Sequence, residues 1–376
     1  MPTILYIITS LSVGGAQKAL LNLINSDVSQ RFSPVVITLM PTQGLQNAFK
    51  ESGIPVVELK ANKALSLLLL PWHLWQLVST LKPSIIHGWM HHGNILAVCA
   101  WFLMGRKPML LWGMHHTPEK DTFKRLQHAL VLTLGKWLSR FPDKILYVSR
   151  RSLERHCELG YSMNRCQVLA NGVAVQKQDI HQARFNLRAE LNIAPNAIII
   201  GSLTRFVPEK DIPNLIEAIR RFQMLEMNNN IHFLLAGEGM DASNPQLVHL
   251  CATLRDAALV HCLGIRADAA RLIAALDIAT LSSRREAFPL FIAEAMASGI
   301  PCVATDVGDV AEAIGQTGLL VPKENPERLA LAWKQMLAFS DAQRQQYSEA
   351  AKHRIQQYYN MDIVVAFYKE LLKDAQ

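Results

Sequence analysis

Acidic side chains are scarce in this chain. Against 38 Lys and Arg stand 31 Asp and Glu, a formal charge of +7, and charged residues fill only 18% of its 376 positions. With half of the residues apolar, that composition excludes a disordered chain and is long enough for two domains, each with its own core. No Asp-x-Asp occurs, so a metal bridge to a diphosphate through such a pair is not expected. There is no G-x-G-x-x-G, which disfavours a dinucleotide-binding oxidoreductase. Neither H-E-x-x-H nor a Cys/His spacing supports zinc, despite 13 histidines. The six cysteines form no C-x-x-C and read as reduced core residues of a cytosolic protein. Without a basic tract interleaved with aromatics, nucleic acid is not an expected partner.

Long hydrophobic runs are also few. The start, Met1 to Thr9, lacks a basic n-region and a small-residue cleavage site, and reads as a first strand rather than a signal peptide. Ala64 to Leu81 carries no charge and just reaches the lower length limit for a bilayer span. Pro71, His73, Gln76, Ser66, Ser79 and Thr80 favour instead a buried or interfacial helix. Trp72 and Trp75, flanked by Lys63 and Lys82, suit a surface that faces a membrane. The basic balance fits anionic partners such as phosphorylated ligands or a membrane surface.

What the chain does have is an alternation of short apolar runs with longer helical patterns, the mark of parallel α/β sheets. Strands are expected at 3–9, 34–39, 56–59, 85–88, 109–113, 144–148 and 166–169, with helices at 16–25, 65–81, 91–104 and 124–138 among them. The polar stretch 176–194 reads as an interdomain linker. A second alternation follows: strands 197–203, 231–236, 259–263 and 277–281, helices 212–226, 244–256 and 267–274. The domains are therefore expected at 1–175 and 176–359, with a last helix from about Asp362 to Lys373.

The most informative run is Ser283 to Ala304, in which Glu286 and Glu294 lie eight residues apart around Pro289. Proline is tolerated in a first helical turn, so Pro289 reads as an early helical position and Phe291 to Ala297 as the helix proper. Glu294 then lies roughly 7 Å along the axis, with unpaired first-turn amides of Phe288, Leu290 and Phe291 between the two acids. Those amides and the helix dipole favour a phosphate, and the carboxylates can accept hydrogen bonds from hydroxyls on either side of it. A nucleotide-sugar presents its groups in that order. The alternative is an amphipathic helix with solvated acids.

Six other strand-end loops carry chemistry. Gly14-Gly15 opens a helix directly after the first strand, where a backbone can approach phosphates, although a simple tight turn explains the pair as well. Arg205 and Lys210, five apart after a strand, can both offset the charge of a departing diphosphate, or can be solvated surface cations. His115 and His116 follow the strand ending at Gly113, on the edge where open α/β sheets bind ligands. His87, His91 and His92 line a neighbouring strand end and are candidates to meet an acceptor. Gly237-Glu238-Gly239 and Leu263-Gly264-Ile265-Arg266 complete the set.

These motifs resemble, over essentially the whole chain, the retaining glycosyltransferases of family 4 (glycosyl transferases group 1), including those of bacterial surface-polysaccharide and O-antigen assembly. The resemblance implies the GT-B fold, an α/β architecture of two facing Rossmann-like domains with a cleft between them, the last helix crossing back onto the first domain. It implies a metal-independent hexosyl- or N-acetylhexosaminyl-transferase with no resident cofactor, whose donor is a nucleoside-diphosphate sugar, a UDP-sugar being expected. By the same resemblance Glu294 holds the ribose and Glu286 the transferred sugar. Arg205, Lys210 and the amides around Phe288, Pro289, Leu290 and Phe291 hold the diphosphate, while Gly237 and Leu263 lie near the base and ribose. His116, with His115 as the alternative, stands next to the donor sugar, and Gly15 faces the ligand. Two positions depart from the family pattern: Gln17 replaces an acid after Gly-Gly, and Asp211 stands where glycine is frequent. The implied acceptor is a glycan or a polyprenyl-linked saccharide. The implied setting is the cytoplasm, with peripheral contact at the inner face of its membrane. A nucleotide-sugar epimerase and a non-catalytic nucleotide-sugar-binding protein are the alternative readings.

Overall fold

The computed structural model describes all residues except 13, 31, 42–43, 60–63, 119–125, 175–178, 227–229 and 374–376, and omits the side chains of 30 and 64–68. The chain forms two compact units, Met1–Gly172 with Met361–Gln376, and Val173–Asn360. The division expected near residue 175 and the start of the helix expected at 124 fall on residues outside this description.

In unit 1 the central apolar runs become strands buried on both faces, as parallel strands covered by helices require. In chain order the elements are β1 (Thr3–Ile8), α1 (Gly15–Ile24), β2 (Ser33–Thr38), α2 (Gln46–Glu51), β3 (Val56–Glu58), α3 (Ala64–Leu81), β4 (Ile85–Trp89), α4 (Met90–Leu103), β5 (Met109–Met114), α5 (Leu126–Leu138), β6 (Lys144–Tyr147), α6 (Arg150–Glu158) and β7 (Cys166–Val168). The strands pair in parallel in the order β3-β2-β1-β4-β5-β6-β7. One face packs on α1 and on a helix that returns from the end of the chain and supplies Met361, Val364, Val365 and Tyr368 to the core. The other face packs on α3 and α4 through Leu74, Val78, Ala97 and Trp101.

Unit 2 contains α7 (Ile180–Glu190), β8 (Ile198–Leu203), α8 (Ile212–Leu225), β9 (Ile231–Ala236), α9 (Pro245–Cys251), β10 (Val260–Cys262), α10 (Ala269–Ala274), β11 (Ile278–Leu281), α11 (Leu290–Ala297), β12 (Cys302–Thr305), α12 (Val310–Ile314), β13 (Gly318–Val321), α13 (Pro326–Leu337) and α14 (Asp341–Tyr358). Its parallel sheet runs β10-β9-β8-β11-β12-β13. Trp333 is wholly buried and its indole N–H donates to Thr280 Oγ1 at 2.9 Å. The final helix α15 (Met361–Leu371) belongs to unit 1.

The expected linker at 176–194 needs correction, because most of it is α7. Asp179 caps that helix through a 3.1 Å bond from the Gln182 amide. Ala183, Leu187 and Arg188 are its buried residues, and Arg188 donates to Ala197 O at 2.9 Å and pairs with Asp277 at 2.7 Å. A polar residue bonded in this way helps to hold a helix that buries only two apolar side chains.

Candidate active site

Unit 2 changes direction between β8 and β11. From β8 the chain winds outward through β9 and β10, then returns beside β8 with β11 and winds the other way. Such a switch point opens a crevice at the carboxyl ends of the two strands, where open α/β sheets hold ligands. The loop after β8 carries Arg205 and Lys210, and the loop after β11 carries Ser282 to Pro289. The two loops are tied together. Arg284 N donates to Glu209 O at 2.8 Å, Ser282 Oγ to Lys210 O at 2.9 Å, and the Lys210 ammonium pairs with the Glu286 carboxylate. Ser283 Oγ also donates to Glu286 at 2.7 Å, and the Glu286 side chain is only 9% exposed. The guanidinium of Arg205, half-buried, makes no hydrogen bond or ion pair among the described residues.

Asp211, where glycine is frequent, adopts φ 49° and ψ 53°, the left-handed conformation that favours glycine. Its buried carboxylate pairs with Arg284 Nε at 2.9 Å. Burial raises its pKa, and Arg284 opposes the rise.

Pro289 is not in the first helical turn as expected. At φ −82° and ψ 74° it is the N-cap of α11, so the helix begins at Leu290. The Leu290 amide is used by Phe288 O at 3.0 Å, and that of Ala293 by Pro289 O at 2.9 Å. Among the described residues this leaves the Phe291 and Ile292 amides without a backbone acceptor, so two donors point out of the helix N-terminus. Glu294 lies one turn further on and is half-buried.

The loops after β9 and β10 join the same edge. Gly237, at φ 136°, donates to Gly264 O at 2.7 Å, and Phe206 N donates to Glu238 O at 2.8 Å. A Cβ on Gly237 would lie 2.0 Å from Thr204 O, so only glycine lets this loop reach the one bearing Arg205. Leu263 is bonded to Leu235 O at 2.8 Å. The sequence gives little notice of Ser282, Ser283 and Gly308. Gly308 has φ 57°, and a Cβ there would lie 2.0 Å from Glu286 O.

In unit 1 the switch point falls between β1 and β4. Gly14 is the extended N-cap of α1, and a Cβ on Gly15 would meet nothing within 4 Å. Gln17, in place of an acid, holds the preceding loop through 3.4 Å bonds to Ser10 O and Ser12 Oγ. His115 turns onto Trp89, with ring centroids 4.1 Å apart at 24°, beside a small cavity also lined by Ala19, Asn171, Met361 and Tyr368. Burial pushes its pKa down to about 3, a hydrogen bond to Asn171 working against the drop. The His116 carbonyl accepts from Ser152 Oγ at 2.9 Å, and its ring meets His91 edge-on at 6.0 Å. His91 and His156, 5.3 Å apart, are held neutral chiefly by burial, His156 at about 4. His87 cannot meet an acceptor, contrary to expectation: it is fully buried between Tyr6 and Trp89.

The two α/β units, each with polar loops on the carboxyl edge of its sheet, define the GT-B class of glycosyltransferase fold. A family model for Glycosyltransferase Family 4 matches residues 13–177 and one for Glycosyl transferases group 1 matches 194–338. The chain belongs to this family. It is 27% identical over 200 residues to the N-acetyl-alpha-D-glucosaminyl L-malate synthase of Bacillus anthracis, covering 53% of this chain and 50% of that one. It thus spans about half the length of that relative. It is 23% identical over 352 residues to the N,N'-diacetylbacillosaminyl-diphospho-undecaprenol alpha-1,3-N-acetylgalactosaminyltransferase of Campylobacter jejuni, covering 89% and 90%. Anabaena Alr3699/HepE, solved in complex with UDP-glucose, shares the fold with a TM-score of 0.84 at 21% identity, covering 99% of each chain. Among the described residues no helix is long and apolar enough to cross a membrane.

Proposed function

We propose that the protein moves a hexosyl or N-acetylhexosaminyl group from a nucleoside-diphosphate sugar, with UDP as the nucleotide, to a glycan or polyprenyl-linked acceptor, with retention of configuration. The observation that carries this reading is the set at the unit 2 switch point: Arg205, whose guanidinium has no partner among the described residues, the Lys210–Glu286 pair and the N-terminus of α11. In it the diphosphate lies between Arg205, Lys210 and the Phe291 and Ile292 amides, Glu294 takes the ribose hydroxyls, and Glu286 those of the sugar. Gly237 and Leu263 border the base. As the bond from the anomeric carbon to the phosphate oxygen breaks, negative charge grows on the leaving diphosphate. Fixed cations and amides aimed at that charge stabilise the transition state more than the ground state. His116, beside two neutral imidazoles, is the hydrogen-bond donor assigned to the donor sugar, and Gly15 leaves room for the ligand at α1.

The UDP-glucose complex of the Anabaena protein supports the donor class, and the undecaprenol-linked substrate in the name of the Campylobacter enzyme supports a lipid-linked acceptor. Such an acceptor would bring the protein to the inner face of the cytoplasmic membrane. A donor-hydrolysis screen over the common nucleotide-sugars, followed by acceptor trials, tests the reading. Glu294→Ala is expected to weaken donor binding, and Lys210→Ala to cut turnover by roughly two orders of magnitude. Donor-dependent transfer unchanged in both variants would sink it.

A further inference from the structure

The outer side of one helical layer of unit 1 is apolar where solvent should have made it polar. On α5 the residues facing the fold are Leu132 and Gly135, yet the opposite side carries Leu126, Leu130, Leu134 and Trp137, which are 74%, 60%, 48% and 60% exposed. Positions i, i+4, i+8 and i+11 form a single stripe on a helix. On α3, Leu69, Trp72 and Trp75 are also exposed, the two indoles 5.2 Å apart. Phe102 and Leu103 are exposed at the end of α4. Large apolar side chains presented together mark an interaction surface rather than scatter.

Cations surround the ends of these helices. Lys82 follows α3, Arg106 and Lys107 follow α4, and Arg140 follows α5; all four are exposed. The Arg140 guanidinium lies 5.1 Å from the Trp137 ring, and that of Arg106 lies 5.1 Å from Trp101. Lys82, Arg106 and Lys107 also line a groove of about 1010 Å³ at the amino-terminal edge of the sheet, opposite the edge that carries Gly15 and His116. The sequence of unit 1 holds 20 Lys and Arg against 11 Asp and Glu, a formal +9, while that of unit 2 holds 18 against 20, a formal −2. The net positive charge of the sequence is therefore carried by the unit that bears the apolar stripe.

We propose that the outer side of α3, α4 and α5 is a docking surface for an anionic lipid bilayer, with the α5 stripe as its apolar anchor and Lys82, Arg106, Lys107 and Arg140 on the headgroups. Tryptophan beside arginine suits the boundary between acyl chains and headgroups. Apolar insertion with basic attraction supplies the two signals that stable peripheral binding needs. A second copy of the chain is the poorer occupant, because it would bring two units of +9 together. The proposal deepens the lipid-linked acceptor reading above and rests on it for its purpose. Vesicle binding is measured without donor or acceptor, so the surface and the transfer reaction can fail separately.

The test is co-sedimentation of the whole protein with phosphatidylcholine vesicles, with and without phosphatidylglycerol, at low and high salt. Sedimentation with the anionic vesicles alone, reduced by salt, is expected. The double variant Leu130→Glu/Leu134→Glu is expected to lose on the order of tenfold in that binding, and Arg106→Ala/Lys107→Ala a similar factor. Because all four side chains are exposed, thermal unfolding and donor hydrolysis should be unchanged. No binding to anionic vesicles, or equal binding by wild type and both variants, would overturn the proposal. So would a dimer by sedimentation velocity that Leu130→Glu/Leu134→Glu converts to monomer while vesicle binding persists.

Discussion

His87 has no exposed surface, and its ring lies 5.4 Å from Tyr6, 5.1 Å from Trp89 and 5.9 Å from Tyr368. Neither ring nitrogen finds a partner among the described residues. Burial first, and repulsion from His115 second, push its pKa down to about 3. In the unfolded chain an imidazole titrates near ~6.5. Between those values the unfolded state binds a proton that the folded state refuses. The contribution is therefore complete above the unfolded pKa and is lost as pH falls toward the folded one. Each such imidazole gives a slope of about 1.4 kcal/mol per pH unit inside the window. His156, held at about 4 mainly by burial, adds to it. The urea midpoint for unit 1 is expected to drop between neutral and mildly acid pH, and His87→Phe to flatten that drop by about one proton's worth. An identical pH slope in the variant would remove His87 from the account.

At the scale of elements, the strands were legible because buried parallel strands are written as short unbroken apolar runs, such as Ile4 to Ile8. Several helices escaped notice, and two of them bury little apolar surface. α7 is anchored by Arg188 on Asp277, and α14 buries only Ala351 and Ile355 of its 18 residues, so neither shows a clear apolar period. At the site, the spacing of Glu286 and Glu294 was visible, but the Lys210–Glu286 pair was not, since it joins loops 76 residues apart in sequence. Asp211 looked like a departure from a glycine, and its left-handed backbone is the conformation that glycine favours. α1 allows a clean separation of folding from function. A methyl group on Gly15 would meet nothing within 4 Å, and alanine in a helix is favoured over glycine by about 0.5–1 kcal/mol. Gly15→Ala is therefore expected to leave thermal stability unchanged or raised while lowering transfer, because the methyl takes space assigned to the ligand. Full activity in this variant would show that Gly15 is only a turn residue.

For the whole molecule, the division of the chain decides which half can be studied alone. Every residue assigned to the donor except His116, His115 and Gly15 lies in Val173–Asn360, a continuous stretch with its own sheet and core around Trp333. Unit 1 is discontinuous: the final segment, α15 and the residue after it, contributes Met361, Val364, Val365, Tyr368 and Leu372 to its core. Removing that helix would uncover Tyr6 and Trp89, and each large apolar side chain left exposed costs roughly 1.5–3 kcal/mol, against a total stability of about 5–15 kcal/mol for a domain. Residues 1–172 expressed alone should therefore fail to fold, and residues 173–360 should fold. The second piece should also bind the nucleotide, since Arg205, Lys210, Glu286, Glu294 and the α11 amides are all within it. At about a hundredfold excess of UDP over its Kd, binding adds roughly 2.7 kcal/mol to stability, which differential scanning calorimetry reads as a rise in Tm. The fragment should show that rise and no transfer. If UDP raises the Tm of the full chain but not of a folded 173–360 fragment, the nucleotide depends on residues of unit 1, and the assignment of its contacts to unit 2 fails.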